Sequence, residues 1–171
     1  GCELILKREE TIEQLSQLVK HFYQQLSQQD DQVKIIYRCT LDLRSELGLK
    51  NLYRTEFEQK RRQEREQGTT LTGPHRDDML FLINGKPMRT YASQGEHKTF
   101  VIALKLAEYE LLQRQHAQPP ILLFDDIFGE LDAGRIQLML RQLSDIGQVF
   151  VTTTSRNFFD KIQDFERPIH Y

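Results

Sequence analysis

The run Ile121-Leu122-Leu123-Phe124, closed by Asp125 and Asp126, limits what this chain can fold into more than any other stretch. A wholly apolar run this short cannot be a buried helix, so it reads as a central parallel strand. A helix over Ala133 to Leu143 and a strand from Gln148 to Thr153 follow. Strand, helix and strand at this spacing make a βαβ unit. In an open α/β sheet ligands bind beyond the carboxyl ends of the strands, which places Asp125 and Asp126 in a crevice rather than in the core. Two adjacent acids there suit a hard cation such as Mg²⁺ and a base that orients an attacking water. They equally suit a solvated strand end whose acids cap the next turn.

Upstream, Ile12, Leu15, Val19, Phe22 and Leu26 recur at helical spacing and predict an amphipathic helix. Val33 to Tyr37 reads as a short strand, and a polar helical stretch from about Leu41 to Gln67 follows, with Gly48 as a candidate break. The character changes after Gly68. Asp78 to Ile83 followed by Asn84-Gly85 predicts a hairpin with a type I′ turn and a return strand from Lys86 towards Tyr91. A helix is expected from Ser93 to about Gln115, with Phe100, Leu104, Ala107, Leu111 and Leu112 on or near one face. The expected division is a mainly helical lobe over 1–68 and an α/β part over 69–171.

Ser93 and Glu96 stand at capping-box spacing at the head of that last helix. Gly95 inside the first turn is harder to explain by capping. A glycine lets backbone approach closely, and a helix mouth with free N–H groups and a serine hydroxyl can receive an anion. Capping and phosphate binding are compatible. The chain has no Gly-x-x-x-x-Gly-Lys-Ser/Thr loop, so these residues offer no cradle for β and γ phosphates. His21, His75, His97, His116 and His170 are scattered without zinc-ligand spacing.

At 171 residues the chain is long enough for one domain or one lobe of something larger. The net charge is −2, with 12 basic and 12 acidic residues before Gly68, so neither half is a basic domain and any DNA contact must be local. No apolar stretch approaches the ~20 residues of a membrane span, and the start has no signal-peptide core. Two cysteines, Cys2 and Cys39, are too few for a disulfide framework, so a reducing, cytoplasmic setting without membrane is expected.

Five stretches in order carry a resemblance: Thr72-Gly73-Pro74-His75-Arg76-Asp77-Asp78, Ser93-Gln94-Gly95-Glu96, Leu104-Lys105-Leu106-Ala107-Glu108, Asp125-Asp126-Ile127-Phe128-Gly129-Glu130-Leu131-Asp132, and Gln148 to Thr154. With them the chain resembles the RecF family of DNA-repair proteins, ABC-type and SMC-like ATPases, over the part that follows their N-terminal nucleotide-binding lobe. The resemblance implies the C-terminal part of an ABC-type P-loop ATPase head, α/β with parallel strands, plus an N-terminal helical arm. The Walker A lobe is absent, which implies an excised piece or a truncated relative, inactive alone.

By position, Ser93, Gln94, Gly95 and Glu96 look like the ABC signature, which in this family contacts the γ-phosphate of ATP held by the other subunit of a dimer. Asp125 looks like the Walker B aspartate that holds Mg²⁺ through water. Asp126 takes the place of the catalytic base, more often glutamate and one methylene longer, which implies slow hydrolysis. Asp132 resembles the D-loop at the dimer interface, and Thr154 stands where many relatives place a switch histidine. His97 and Lys98 depart from the signature's more usual continuation. The implied partners are double-stranded DNA, single-strand/double-strand junctions, recombination mediator proteins and a second copy joined through ATP, with recombinase loading as the outcome.

For DNA contact the residues themselves offer Arg61, Arg62 and Arg65, beside Lys60, and Arg76. Glu56, Glu58, Glu64 and Glu66 interleave with the cluster, which equally describes a salt-bridged solvent-facing helix. Arg76 has a turn-stabilising alternative through Asp77 and Asp78. Two rival functions remain open: a metal cluster of Asp125, Asp126, Glu130 and Asp132 for phosphodiester cleavage, and a docking module built on the N-terminal helices.

Overall fold

The apolar run becomes strand β4 (Ile121–Asp125), and it pairs in parallel with β5 (Gln148–Thr152), joined through helix α5 (Ala133–Leu143). This computed structural model describes residues 1–27, 29–41, 48–127 and 131–154. The register sets Leu123 opposite Phe150 and Asp125 opposite Thr152. The βαβ unit is therefore as the spacing predicts. Its strand is not buried on both faces, however. Leu122 and Phe124 are buried, whereas Ile121 and Leu123 are 58% and 68% exposed and Phe150 is 51% exposed. Among the described residues only two strands form this sheet, and one of its faces carries bare aliphatic and aromatic side chains.

Before it come helix α1 (Cys2–Leu26), strand β1 (Val33–Arg38), helix α2 (Leu49–Gln67), strands β2 (Asp78–Ile83) and β3 (Lys86–Pro87), the short helix α3 (Met88–Tyr91) and helix α4 (Gln94–Gln115). The second sheet has the order β1-β2-β3. In α1 the buried residues are Ile5, Ile12, Val19, Tyr23 and Leu26, a stripe at helical spacing. Gly48 precedes α2 as its N-cap with φ +73, and residues 42–47, which open the polar stretch read from the sequence, lie outside the described residues. Gly68 closes α2 in the left-handed conformation, the common glycine C-cap.

The hairpin turn is as expected, with φ positive at both Asn84 (+50) and Gly85 (+76). The return strand is shorter than expected: β3 stops at Pro87 and the chain enters α3 instead of running on to Tyr91. Pro87 has no N–H to extend the ladder, and it stands as the N-cap of α3. Asn84 does more than turn. Its side chain accepts from Gln32 N–H at 2.9 Å and donates to Asp31 Oδ1 at 2.8 Å, while its own N–H donates to Gln32 O. Asn84→Ala should lose both side-chain bonds and strain a positive φ, lowering stability by about 1–3 kcal/mol. Urea denaturation checks this, with Asn84→Gly falling between Ala and wild type because only the bonds are lost.

Two compact units divide the described residues: Gly1–Ser16 with Ile35–Phe81, and Gln17–Lys34 with everything from Leu82 onward. The line thus falls within α1, within β1 and within β2. In the first unit Ile5, Leu41 and Tyr53 form a small core with Cys2, Tyr37, Cys39 and Leu49 packed against it. In the second, α4 buries Thr99, Phe100, Ile102, Ala103, Leu106, Ala107 and Tyr109, while α5 buries Ile136, Met139, Leu140 and Leu143. Leu112, expected on the buried face of α4, is 36% exposed. Apolar residues surround that helix, so periodicity alone did not single out the face that tertiary packing covers.

Candidate functional site

The carboxyl end of β4 is organised by threonines from β5 and just beyond it. Asp125 Oδ1 accepts a short hydrogen bond from Thr152 Oγ1, its register partner. Asp126 has left strand geometry, with φ +45, a left-handed conformation that aspartate tolerates better than most residues. Its N–H donates to Thr152 O at 3.1 Å and lies 3.3 Å from Thr152 Oγ1. Asp126 Oδ1 in turn accepts from Thr154 Oγ1 at 3.2 Å and from Thr154 N–H at 3.4 Å. One hydroxyl, that of Thr152, therefore touches both acids. Sequence reasoning picked Asp125, Asp126 and Thr154 but missed Thr152. The signal was available in the parallel register, which sets the last residues of the two strands side by side.

Both acids are exposed. With one oxygen of Asp125 engaged by Thr152, a lone exposed carboxylate completed by waters and phosphate oxygens fits the way Mg²⁺ is usually held. A multi-carboxylate cluster does not form: no group of three His, Cys, Asp or Glu suited to a metal gathers among the described residues. Glu130, which the cleavage alternative requires, lies outside them, as does His170.

At the head of α4, Ser93 is the N-cap. Its Oγ accepts from Glu96 N–H at 3.3 Å and its N–H donates to Glu96 Oε2 at 2.6 Å, a complete capping box. These bonds with Ser93 hold the Glu96 carboxyl below its usual pKa against the opposing effect of burial, and the charges of Arg135 and His97 add lesser lowering effects. Gln94 and Gly95 lie in the first turn, where amides have no intrahelical acceptor. Buried Tyr23 lies within electrostatic reach of Glu96 and Arg135, and its pKa is pushed up to about 12, first by burial and then by the charges of Asp31 and Glu96. Asp132 caps α5, its Oδ1 accepting from Arg135 N–H at 2.9 Å.

The Thr72 to Asp78 motif, in the other unit, is a pinned turn. Asp77 accepts from Tyr37 Oη and from Thr40 N–H and Oγ1, and Pro74 O accepts from Arg8. Burial and the bond to Asp77 raise the Tyr37 hydroxyl well above its ordinary pKa. Gly73 has φ +146, and a Cβ there would meet the His75 ring at 2.9 Å. Arg76 donates to Thr70 O at 3.0 and 2.8 Å and to Thr69 Oγ1 at 3.1 Å, so its turn partners are those threonines rather than Asp77 and Asp78. On α2, Arg62 pairs with Glu66, Lys60 with Glu56 and Arg54 with Glu58, each at i,i+4. Arg61 and Arg65 are exposed. Arg61 also lines a cavity of about 860 Å³ with Lys50, Tyr53, Phe57 and His75, and none of the strand-tip residues line it.

No protein-family model matches the chain. Individual proteins do match. The DNA replication and repair protein RecF of Halalkalibacterium halodurans is 38% identical over 163 residues, 94% of this chain and 44% of that protein. RecF of Geotalea daltonii is 40% identical over 164 residues, 91% of this chain and 43% of that protein. Among solved structures, that of the recombination mediator protein RecF-ATPrS in the RecFOR pathway superposes with a TM-score of 0.74 at 29% identity, covering 92% of this chain and 43% of that one. The RecF-ATP structure of the same protein type gives 0.72 at 30% identity. An Smc head bound to the C-winged helix domain of ScpA gives 0.53 at 16% identity, a likeness of fold alone. The chain thus spans less than half the length of the relatives it matches. The matches favour neither a nuclease nor a docking module, and no helix among the described residues is long and apolar enough to cross a membrane. With its motifs in RecF order and identity of this level across nearly its whole length, the chain belongs to the RecF family and corresponds to the C-terminal portion of those proteins.

Proposed function

We propose that this chain supplies the signature and Walker B faces of a composite ATP site in a RecF-type DNA-repair ATPase. The observation that carries the reading is the strand tip, where Asp125 and Asp126 are fixed by Thr152 and Thr154 beyond the carboxyl end of a parallel strand pair. Mg²⁺, when bound there, supplies charge neutralisation for the phosphates, and Asp125 holds it through water. Asp126 orients the attacking water and takes its proton at the carboxylate oxygen not engaged by Thr154. Thr154 fixes the Asp126 rotamer rather than acting as an imidazole. Ser93, Gln94, Gly95 and Glu96 present the mouth of α4 to the γ-phosphate of ATP bound in the second subunit, with Asp132 at the seam. The exposed face of Ile121, Leu123 and Phe150 is where the nucleotide-binding lobe packs.

In the complete protein this dimer acts on double-stranded DNA and single-strand/double-strand junctions and, through mediator proteins, assists recombinase loading onto single-stranded DNA. Arg61 and Arg65 remain the better candidates for DNA contact, because Arg62 and Arg76 are engaged within the chain. Labelled ATP titrated against this chain tests the reading. No saturable binding is expected for the chain alone, and saturable Mg²⁺-dependent binding is expected once the nucleotide-binding lobe is supplied separately. Tight binding by the chain alone, or none with the lobe present, overturns it.

A further inference from the structure

Gly95 is an odd residue for the second position of a helix, because glycine loses more backbone freedom on becoming helical than any other residue. Its backbone does not demand glycine, because it is absent from the left-handed glycines, among them Gly48, Gly68, Gly73 and Gly85. Its surroundings do. A Cβ at Gly95 would lie 2.4 Å from Arg135 Nη1 and 3.6 Å from its Cζ. Arg135 is no loose surface cation. Its side chain is only 18% exposed, its Nε is sealed from solvent without a hydrogen bond, and that atom lies 3.5 Å from Asp132 Oδ2. The same residue's backbone N–H is the donor to the Asp132 cap. The guanidinium thus sits between the turn at Asp132 and the mouth of α4, where its charge also acts on Glu96 and Tyr23.

A cation at the positive end of a helix is unfavourable unless acids offset it, and Glu96 and Asp132 flank this one. The guanidinium is the end of a flexible side chain, so a methyl at position 95 would push it away from its seat instead of unfolding the helix. That makes the contact a device for holding geometry. We propose that Arg135 is a positioning residue that locks the turn at Asp132 to the mouth of α4, and that residue 95 is glycine because the Arg135 guanidinium occupies the place of its Cβ. What this implies for nucleotide rests on the composite-site reading above; the seat itself does not.

The test uses the protein that contains this chain together with its nucleotide-binding lobe. Without nucleotide, exchange of the Arg135 Nε–H with solvent is followed by NMR. It is slow in wild type, and Gly95→Ala accelerates it at least about tenfold as the guanidinium leaves its seat. Unchanged exchange overturns the seat. With Mg²⁺-ATP, light scattering gives the nucleotide concentration for half-maximal dimerisation. Arg135→Ala raises it about ten- to a hundredfold while keeping the backbone cap on Asp132, and Arg135→Lys recovers only part because it lacks the planar fork. Gly95→Ala does the same, and Gly95→Ala/Arg135→Ala is no worse than Arg135→Ala alone. Effects that multiply in the double variant overturn the coupling, since Gly95 would then act on the phosphate independently. A wild type that does not dimerise with ATP defeats the composite site and leaves the exchange result to decide the seat.

Discussion

Asp126→Asn in the protein that carries both halves is expected to lower ATP turnover by about 10²–10⁴-fold, the usual contribution of a positioned general base, with ATP-driven dimerisation retained. The substitution is a clean one at this position. Asparagine tolerates the φ of +45 as well as aspartate does, and its Oδ1 can still accept from Thr154 Oγ1 and N–H. Only the proton-accepting carboxylate is lost. Asp126→Ala would confound the result, because alanine is strained at that φ and leaves Thr154 without its acceptor. Single-turnover hydrolysis alongside light scattering separates chemistry from assembly. Turnover within a few-fold of wild type would remove Asp126 from the mechanism.

Ser93→Arg should abolish dimerisation by at least about a hundredfold in ATP requirement while sparing ATP binding to each monomer. Ser93 is exposed, so a long side chain is accommodated within one subunit, but it would project from the helix mouth offered to the partner's phosphate. The substitution also removes the cap. Loss of the Ser93 Oγ bond to Glu96 N–H costs about 1 kcal/mol of helix stability in either Ser93→Arg or Ser93→Ala. Comparing the two therefore isolates the intruding cation from the missing hydroxyl. Fluorescent-nucleotide binding and light scattering on both variants check it. A normal dimer with Ser93→Arg would mean that the mouth of α4 does not face a phosphate in trans.

Local signals were strong wherever one residue's backbone chemistry dominates. Helix α5 runs from Ala133 to Leu143 as expected, and the Ser93 to Glu96 spacing yielded the capping box. Asn84-Gly85 specified its turn because so few residues accept positive φ in succession. The signals weakened where several faces or partners competed. Helix α4 is apolar around much of its surface, so its buried side depended on which neighbours arrived, and Leu112 remained outside. The basic cluster on α2 could be a phosphate track or an ion-paired helix, and the observed Arg62–Glu66, Lys60–Glu56 and Arg54–Glu58 pairs are of the kind that contribute only tenths of a kcal/mol each when exposed.

The order of residues by itself determined the βαβ unit, the acids at its strand tip and the serine-led head of α4, because strand length, helix caps and turns depend on neighbours a few positions away. It also carried the family, through motifs whose order and spacing are one-dimensional properties. Only the tertiary structure decided that Thr152 bridges Asp125 and Asp126, residues 27 and 26 positions earlier, and that Arg135 fills the space beside Gly95, 40 positions away. Such contacts depend on strand register and on the approach of helices, and no local periodicity encodes the distance between two elements.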